Sequence, residues 1–206
     1  MFSAFDHILI KVPDMSEAAS AYANLLGQAG QDGRFELANV DLQLAEDTGL
    51  ATPEIAGLAL LDEDAVSGSM SALDSGAVDV PLFCANTRAA SYSEDLASDT
   101  GVYAVDHLVL QTRDADACIA LFRDRLGLRL ALDQEVPEWG GRMLFFRHGK
   151  MTLEVIQNLK EPPASDFFWG ITYLCRDLEF TTATLDALGI EHSPIRDGRK
   201  PGTRVS

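Results

Sequence analysis

His107 and Glu154 are the two side chains of this 206-residue sequence whose types and surroundings best suit chemistry. Each sits in an apolar run, Val105-Asp106-His107-Leu108-Val109-Leu110 and Met151-Thr152-Leu153-Glu154-Val155-Ile156. Successive side chains of a strand alternate between faces, so His107 looks the same way as Val109 and Gln111. Glu154 likewise projects with Thr152 and Ile156, away from Met151, Leu153 and Val155. An imidazole and a carboxylate on adjoining strands can hold a divalent metal and leave positions open for two neighbouring substrate oxygens. Such a metal would stabilise an enediolate or activate oxygen. A second reading stays open, in which His107 hydrogen-bonds within the core and Glu154 pairs with Arg142 or Arg147, because an unpaired buried carboxylate costs several kcal/mol.

Other residues could serve a ligand. The run Arg196-Asp197-Gly198-Arg199-Lys200-Pro201-Gly202-Thr203-Arg204 gathers four cations, and Arg199 within it, like Arg142, could grip a carboxylate or phosphate; a solvated terminal loop is the simpler account. Trp139, Trp169, Phe145, Phe146, Phe167 and Phe168 could wall a pocket, although aromatic residues more often fill a core. His148 and His192 sit beside turn residues and are read as surface groups. The sequence holds no phosphate-binding loop, dinucleotide fingerprint or nucleophile elbow.

The elements that must position these residues are written in a repeat. Phe5-Asp6-His7-Ile8-Leu9-Ile10, continuing to Asp14 and Leu26-Gly27, returns 100 residues later as Val105-Asp106-His107-Leu108-Val109-Leu110, continuing to Asp114 and Leu126-Gly127. Each copy predicts a strand, a helix capped by Asp and a glycine stop. A fainter pair begins at Ile55 and at Trp169; aligning Asp64 with Asp177 also aligns Gly57 with Gly170 and Gly76 with Gly189. That pairing predicts four strand-then-helix units. The alternation of Val40, Leu42 and Leu44 with Asp41 and Gln43 predicts a further strand. Residues 142–147 and 151–156, flanking His148-Gly149-Lys150, predict a hairpin. Residues 78–100 read as one short strand and a linking loop, with the boundary between halves near Gly101.

Composition narrows the partners. The formal net charge is −16, and residues 1–102 hold 3 Lys+Arg against 17 Asp+Glu, so neither a nucleic acid nor an anionic membrane is expected. Any anionic small molecule would find its cations in the second half. Cys84, Cys118 and Cys175 are odd in number and far apart, which argues against a disulfide framework. Met1 to Val12 shows no export signal, and no apolar run reaches the roughly 18 to 20 residues that span a bilayer. A cytoplasmic protein is the expectation.

A strand opening with Asp-His, a helix ending in Leu-Gly and a meander of strands resemble the βαβββ module of the vicinal oxygen chelate superfamily, which includes glyoxalases, bleomycin resistance proteins and extradiol dioxygenases. The resemblance covers most of the chain and is clearest from His107 to Gln157. It implies an α+β fold of repeated βαβββ modules, with curved mixed sheets around a cleft and helices outside. The halves would be 1–100, with one full and one abbreviated module, and 101–206, with one full and one abbreviated or truncated module. Family ligand positions fall on His7, Gln43, Gly57, His107, Glu154 and Gly170. If the two strong units pair, within the chain or across a homodimer, His7, Gln43, His107 and Glu154 would form a four-ligand set for Fe, Mn, Ni or Zn. The implied activity is a small-molecule enzyme that chelates vicinal substrate oxygens for lyase, isomerase or ring-opening chemistry. The alternatives are a metal-free protein that sequesters an apolar or aromatic small molecule, and a dimerisation scaffold.

Overall fold

A computed structural model describes residues 2–87, 97–138, 140–198 and 201–206. Its first half opens with strand β1 (Ala4–Val12) and helix α1 (Met15–Leu26), followed by β2 (Arg34–Phe35), β3 (Asp41–Glu46), β4 (Glu54–Leu61), β5 (Met70–Leu73) and β6 (Leu82–Ala85). These strands form one mixed sheet in the order β2-β3-β1-β4-β6-β5. The second half has β7 (Val102–Gln111), α2 (Ala115–Cys118), β8 (Arg129–Val136), β9 (Gly141–His148), β10 (Met151–Asn158), β11 (Phe167–Cys175) and α3 (Leu178–Ala187). Its sheet runs β11-β7-β10-β9-β8, and β12 (Arg196–Asp197) pairs with β13 (Arg204–Val205) in a separate two-stranded sheet. Neither sheet closes into a barrel, and the fold is α+β with mixed sheets.

The expected caps are present. Asp14 accepts from Glu17 N at 2.8 Å, Asp114 from Asp116 N and Ala117 N at 3.0 Å each, and Asp177 from Phe180 N at 3.0 Å. Gly27 ends α1 at φ +62°, and its missing side chain lets the backbone of Asp99 and Thr100 lie against it. After α2 the helix widens over Ile119–Arg125, where Leu126 N donates to Leu121 O, five residues back.

The second unit departs from the expectation. Asp64 leads into turns and the strand β5 instead of a helix. Ser67, Ser69 and Ser71 are poor helix formers, and Gly68 adopts φ +79°, which an α-helix does not allow.

Alternation along the strands builds a core that spans both halves. Ile8, Ile10, Leu42, Leu58 and Leu60 of the first sheet belong to one buried cluster with Leu108, Leu110, Leu144, Phe146 and Leu153 of the second. Complete burial of each such side chain contributes roughly 1.5–3 kcal/mol. No helix among the described residues is long and apolar enough to cross a membrane.

Candidate functional site

His107 points to the face of the second sheet opposite the core. There β7 lies between β10 and β11, with His107 opposite Thr152 on one side and Thr172 on the other, while Val109 lies opposite Glu154 and Gly170. Residues paired across a sheet share a face, so His107, Val109, Glu154, Gly170 and Thr172 converge. Glu154 Oε2 lies 3.3 Å from His107 Nε2. The Thr172 hydroxyl lies 2.9 Å from the same nitrogen.

Asp106 ought to face away from its neighbour His107, but β7 bulges there. Thr172 pairs with His107 and Tyr173 with Val105, which leaves Asp106 unopposed. The bulge lets Asp106 Oδ2 approach His107 Nδ1 to 2.8 Å. A carboxylate has no proton to give, so Nδ1 donates to Asp106, and Nε2 is the ring atom left to face Thr172 and Glu154. The Thr172 hydroxyl donates to that nitrogen or accepts from it according to whether Nε2 carries a proton.

The first sheet repeats this backbone with different side chains. β1 bulges at Asp6, and His7 Nδ1 lies 2.6 Å from Asp6 Oδ1. Burial would raise the Asp6 carboxyl, but hydrogen bonds from His7 and Thr87 outweigh it and hold the group well below the usual carboxylate range. Arg34 joins the network, donating through Nε to Asp41 Oδ2 at 2.8 Å and through Nη1 to Thr87 Oγ1 at 2.9 Å. His7 pairs with Ala59 and Leu9 with Gln43 and Gly57, so Gln43 stands at the Glu154 position and Ala59 at the Thr172 position. Gln43 turns its amide to Leu44 O at 3.0 Å and Asp32 O at 3.3 Å. It also lines an open pocket of about 370 Å³ with Gln28, Gln31, Asp32, Arg34 and Glu36. Over Gly57 lies the Phe83 ring, where a Cβ would come within 2.7 Å of it; over Gly170 no described atom comes within 4 Å.

The other candidates scatter. Arg142 is on the core side of β9, tied to both Asp133 oxygens at 2.7 Å and to Asp116 at 2.8 Å, which joins the sheet to the first turn of α2. Phe146 is completely buried against Phe122, and Phe145, opposite Glu154, takes the place on the site face. Trp169 is 67 % exposed, at a second bulge next to Gly170. Trp139 and Arg199 lie outside the described residues.

The sequence reading passed over Asp106 and Thr172. The repeated Asp-His pair was a visible signal for Asp106. Nothing in the spacing pointed to Thr172, because its role depends on register.

His107 Nε2 and Glu154 Oε2 are two donors suited to a divalent metal. Two atoms each about 2.1 Å from one ion lie roughly 3.0–3.4 Å apart, and Nε2 and Oε2 meet that separation. The full four-ligand set is not brought together. His7 and Gln43 belong to the first sheet, and among the described residues no group of three or more His, Cys, Asp or Glu side chains could hold a metal.

Residues 106–206 match the family described as the glyoxalase/bleomycin resistance protein/dioxygenase superfamily. A mutant of 4-hydroxymandelate synthase from Streptomyces coelicolor superposes with TM-score 0.63 at 14% identity, covering 92% of this chain and 75% of that one. A xylose isomerase-like TIM barrel/4-hydroxyphenylpyruvate dioxygenase fusion protein gives 0.59 at 12%, covering 92% and 39%. Methylmalonyl-CoA epimerase from Mycobacterium tuberculosis gives 0.43 at 16%, covering 52% and 79%. The first two likenesses concern the fold. Comparison with curated proteins yields no match.

Proposed function

Residues 106–206 belong to the glyoxalase/bleomycin resistance protein/dioxygenase superfamily, and from that premise we propose that the chain is a small-molecule enzyme of the glyoxalase and dioxygenase type. In this reading His107 and Glu154 hold a divalent metal, Fe, Mn, Ni or Zn, that chelates vicinal substrate oxygens for lyase, isomerase or ring-opening chemistry. The observation that carries it is the 3.3 Å approach of His107 Nε2 to Glu154 Oε2 on the face away from the core.

Bound there, the metal would act as a Lewis acid on substrate oxygens. The chain supplies the rest. Asp106 orients His107 through Nδ1 and leaves Nε2 as the donor, the usual second contact of a metal-binding histidine. Glu154 brings negative charge, and Val109 and Phe145 beside it limit water. Gly170 leaves space on the same face.

Elemental mass spectrometry of protein purified without chelators or affinity metals tests the reading. Near-stoichiometric metal that is lost in Glu154→Ala supports it, and none after reconstitution overturns it. The exposed ring of Trp169, next to Gly170 on β11, favours a second reading, metal-free binding of an apolar or aromatic molecule. In that case Trp169→Ala would abolish ligand affinity and Glu154→Ala would leave it intact.

A further inference from the structure

We infer that Thr172 supplies the third protein donor to the divalent cation, its Oγ1 completing a set with His107 Nε2 and Glu154 Oε2. The inference rests on the metal reading above and adds a donor to it. Thr172 Oγ1 lies 2.9 Å and Glu154 Oε2 3.3 Å from His107 Nε2. Adjacent donors around one ion at bonding distance are spaced by about those amounts.

The internal repeat points to the same residue. The first sheet keeps the bulge, the Asp-His contact and the glycine, yet has Ala59 where the second has Thr172, and Gln43 where it has Glu154. The carboxylate and the hydroxyl therefore occur together in one half, while the other has a neutral amide at the first matching place and no side-chain oxygen at the second. Gly170 offers no side chain, so on β11 the hydroxyl of Thr172 is the donor that faces His107. An ion bound there would meet a lone pair of the Thr172 oxygen, with its O–H turned outward.

One nitrogen and two oxygens form a set for an oxygen-preferring first-row ion and offer no thiolate for a softer one. Mn2+ is the probe, its binding followed by loss of the free-ion EPR signal in wild type, Thr172→Val, Thr172→Ser and Glu154→Ala, with folding verified by circular dichroism. Thr172→Val keeps the shape and removes the oxygen; affinity is expected to fall about tenfold or more. Thr172→Ser should restore it. If Thr172→Val binds Mn2+ as tightly as wild type while Glu154→Ala does not, Thr172 is no ligand and the metal reading stands. A wild type that takes up none of Mn2+, Fe2+, Ni2+ and Zn2+ overturns both.

Discussion

Asn39 and Val105 exchange two hydrogen bonds across the two halves. Val105 N donates to Asn39 Oδ1 at 2.9 Å, and Asn39 Nδ2 donates to Val105 O at 2.6 Å. The same Nδ2 reaches Lys150 O at 3.1 Å. One buried amide thus acts as a short piece of strand beside β7, two residues before His107, and secures the turn between β9 and β10.

Asn39→Ala leaves those backbone groups without their partner. An unsatisfied buried group costs about 1–3 kcal/mol, so the substitution should lower stability by about 2–4 kcal/mol. Urea unfolding measures it; a change below about 0.5 kcal/mol would mean that the contact is not maintained in solution.

Asp6 makes stability sensitive to acid. Despite its burial, hydrogen bonds hold its folded-state carboxyl below the unfolded value, so its contribution is complete above the ordinary carboxylate value near 4 and declines as pH falls further. Asp6→Asn should cost about 1–3 kcal/mol at pH 7. Its difference from wild type should shrink as pH drops from 4 toward 2. A difference independent of pH would show that the carboxylate's charge plays no part.

Gly57 and Gly170 occupy equivalent positions with opposite surroundings. Gly57→Ala drives a Cβ against the Phe83 ring and to 3.2 Å from Pro81 O, and should cost about 1–3 kcal/mol. Gly170→Ala should change stability by less than about 0.5 kcal/mol. Thermal unfolding of the two variants side by side decides; equal losses would mean that the space over Gly170 is filled.

Cys118 is fully buried, and burial pushes its thiol up to about 12. At pH 8 only about one such thiol in ten thousand is ionised, and the thiolate is the reactive form. Iodoacetamide should leave Cys118 unmodified in the native protein and alkylate it in urea. Rapid native labelling of Cys118, read by peptide mass spectrometry, would contradict its placement.

The repeat was legible because it lies in local chemistry. Asp14 and Asp114 cap helices and Gly27 takes a left-handed conformation through interactions within a few residues, so their 100-residue spacing survives in the sequence. The fainter repeat was less dependable. Matching Gly76 to Gly189 suggested a helix after Asp64, but Gly68 and the serines around it make turns and a strand there. Phe145-Phe146 illustrates a further limit. Alternation places the two rings on opposite faces, and two identical side chains give no sign of which face is the core.

By itself the sequence determined the strand-helix order of the strong units, their caps, the superfamily resemblance and the choice of His107 and Glu154 as candidates, all of which follow from residue type and near-neighbour spacing. Only the tertiary structure decided that Asp106 turns toward His107, that Thr172 stands opposite it, and that Gln43 and Ala59 hold the matching places in the other sheet. Those relationships are matters of register between strands up to 65 residues apart, and a single bulge changes which side chains share a face. Composition and periodicity are unaltered by such a shift, so they carry no trace of it.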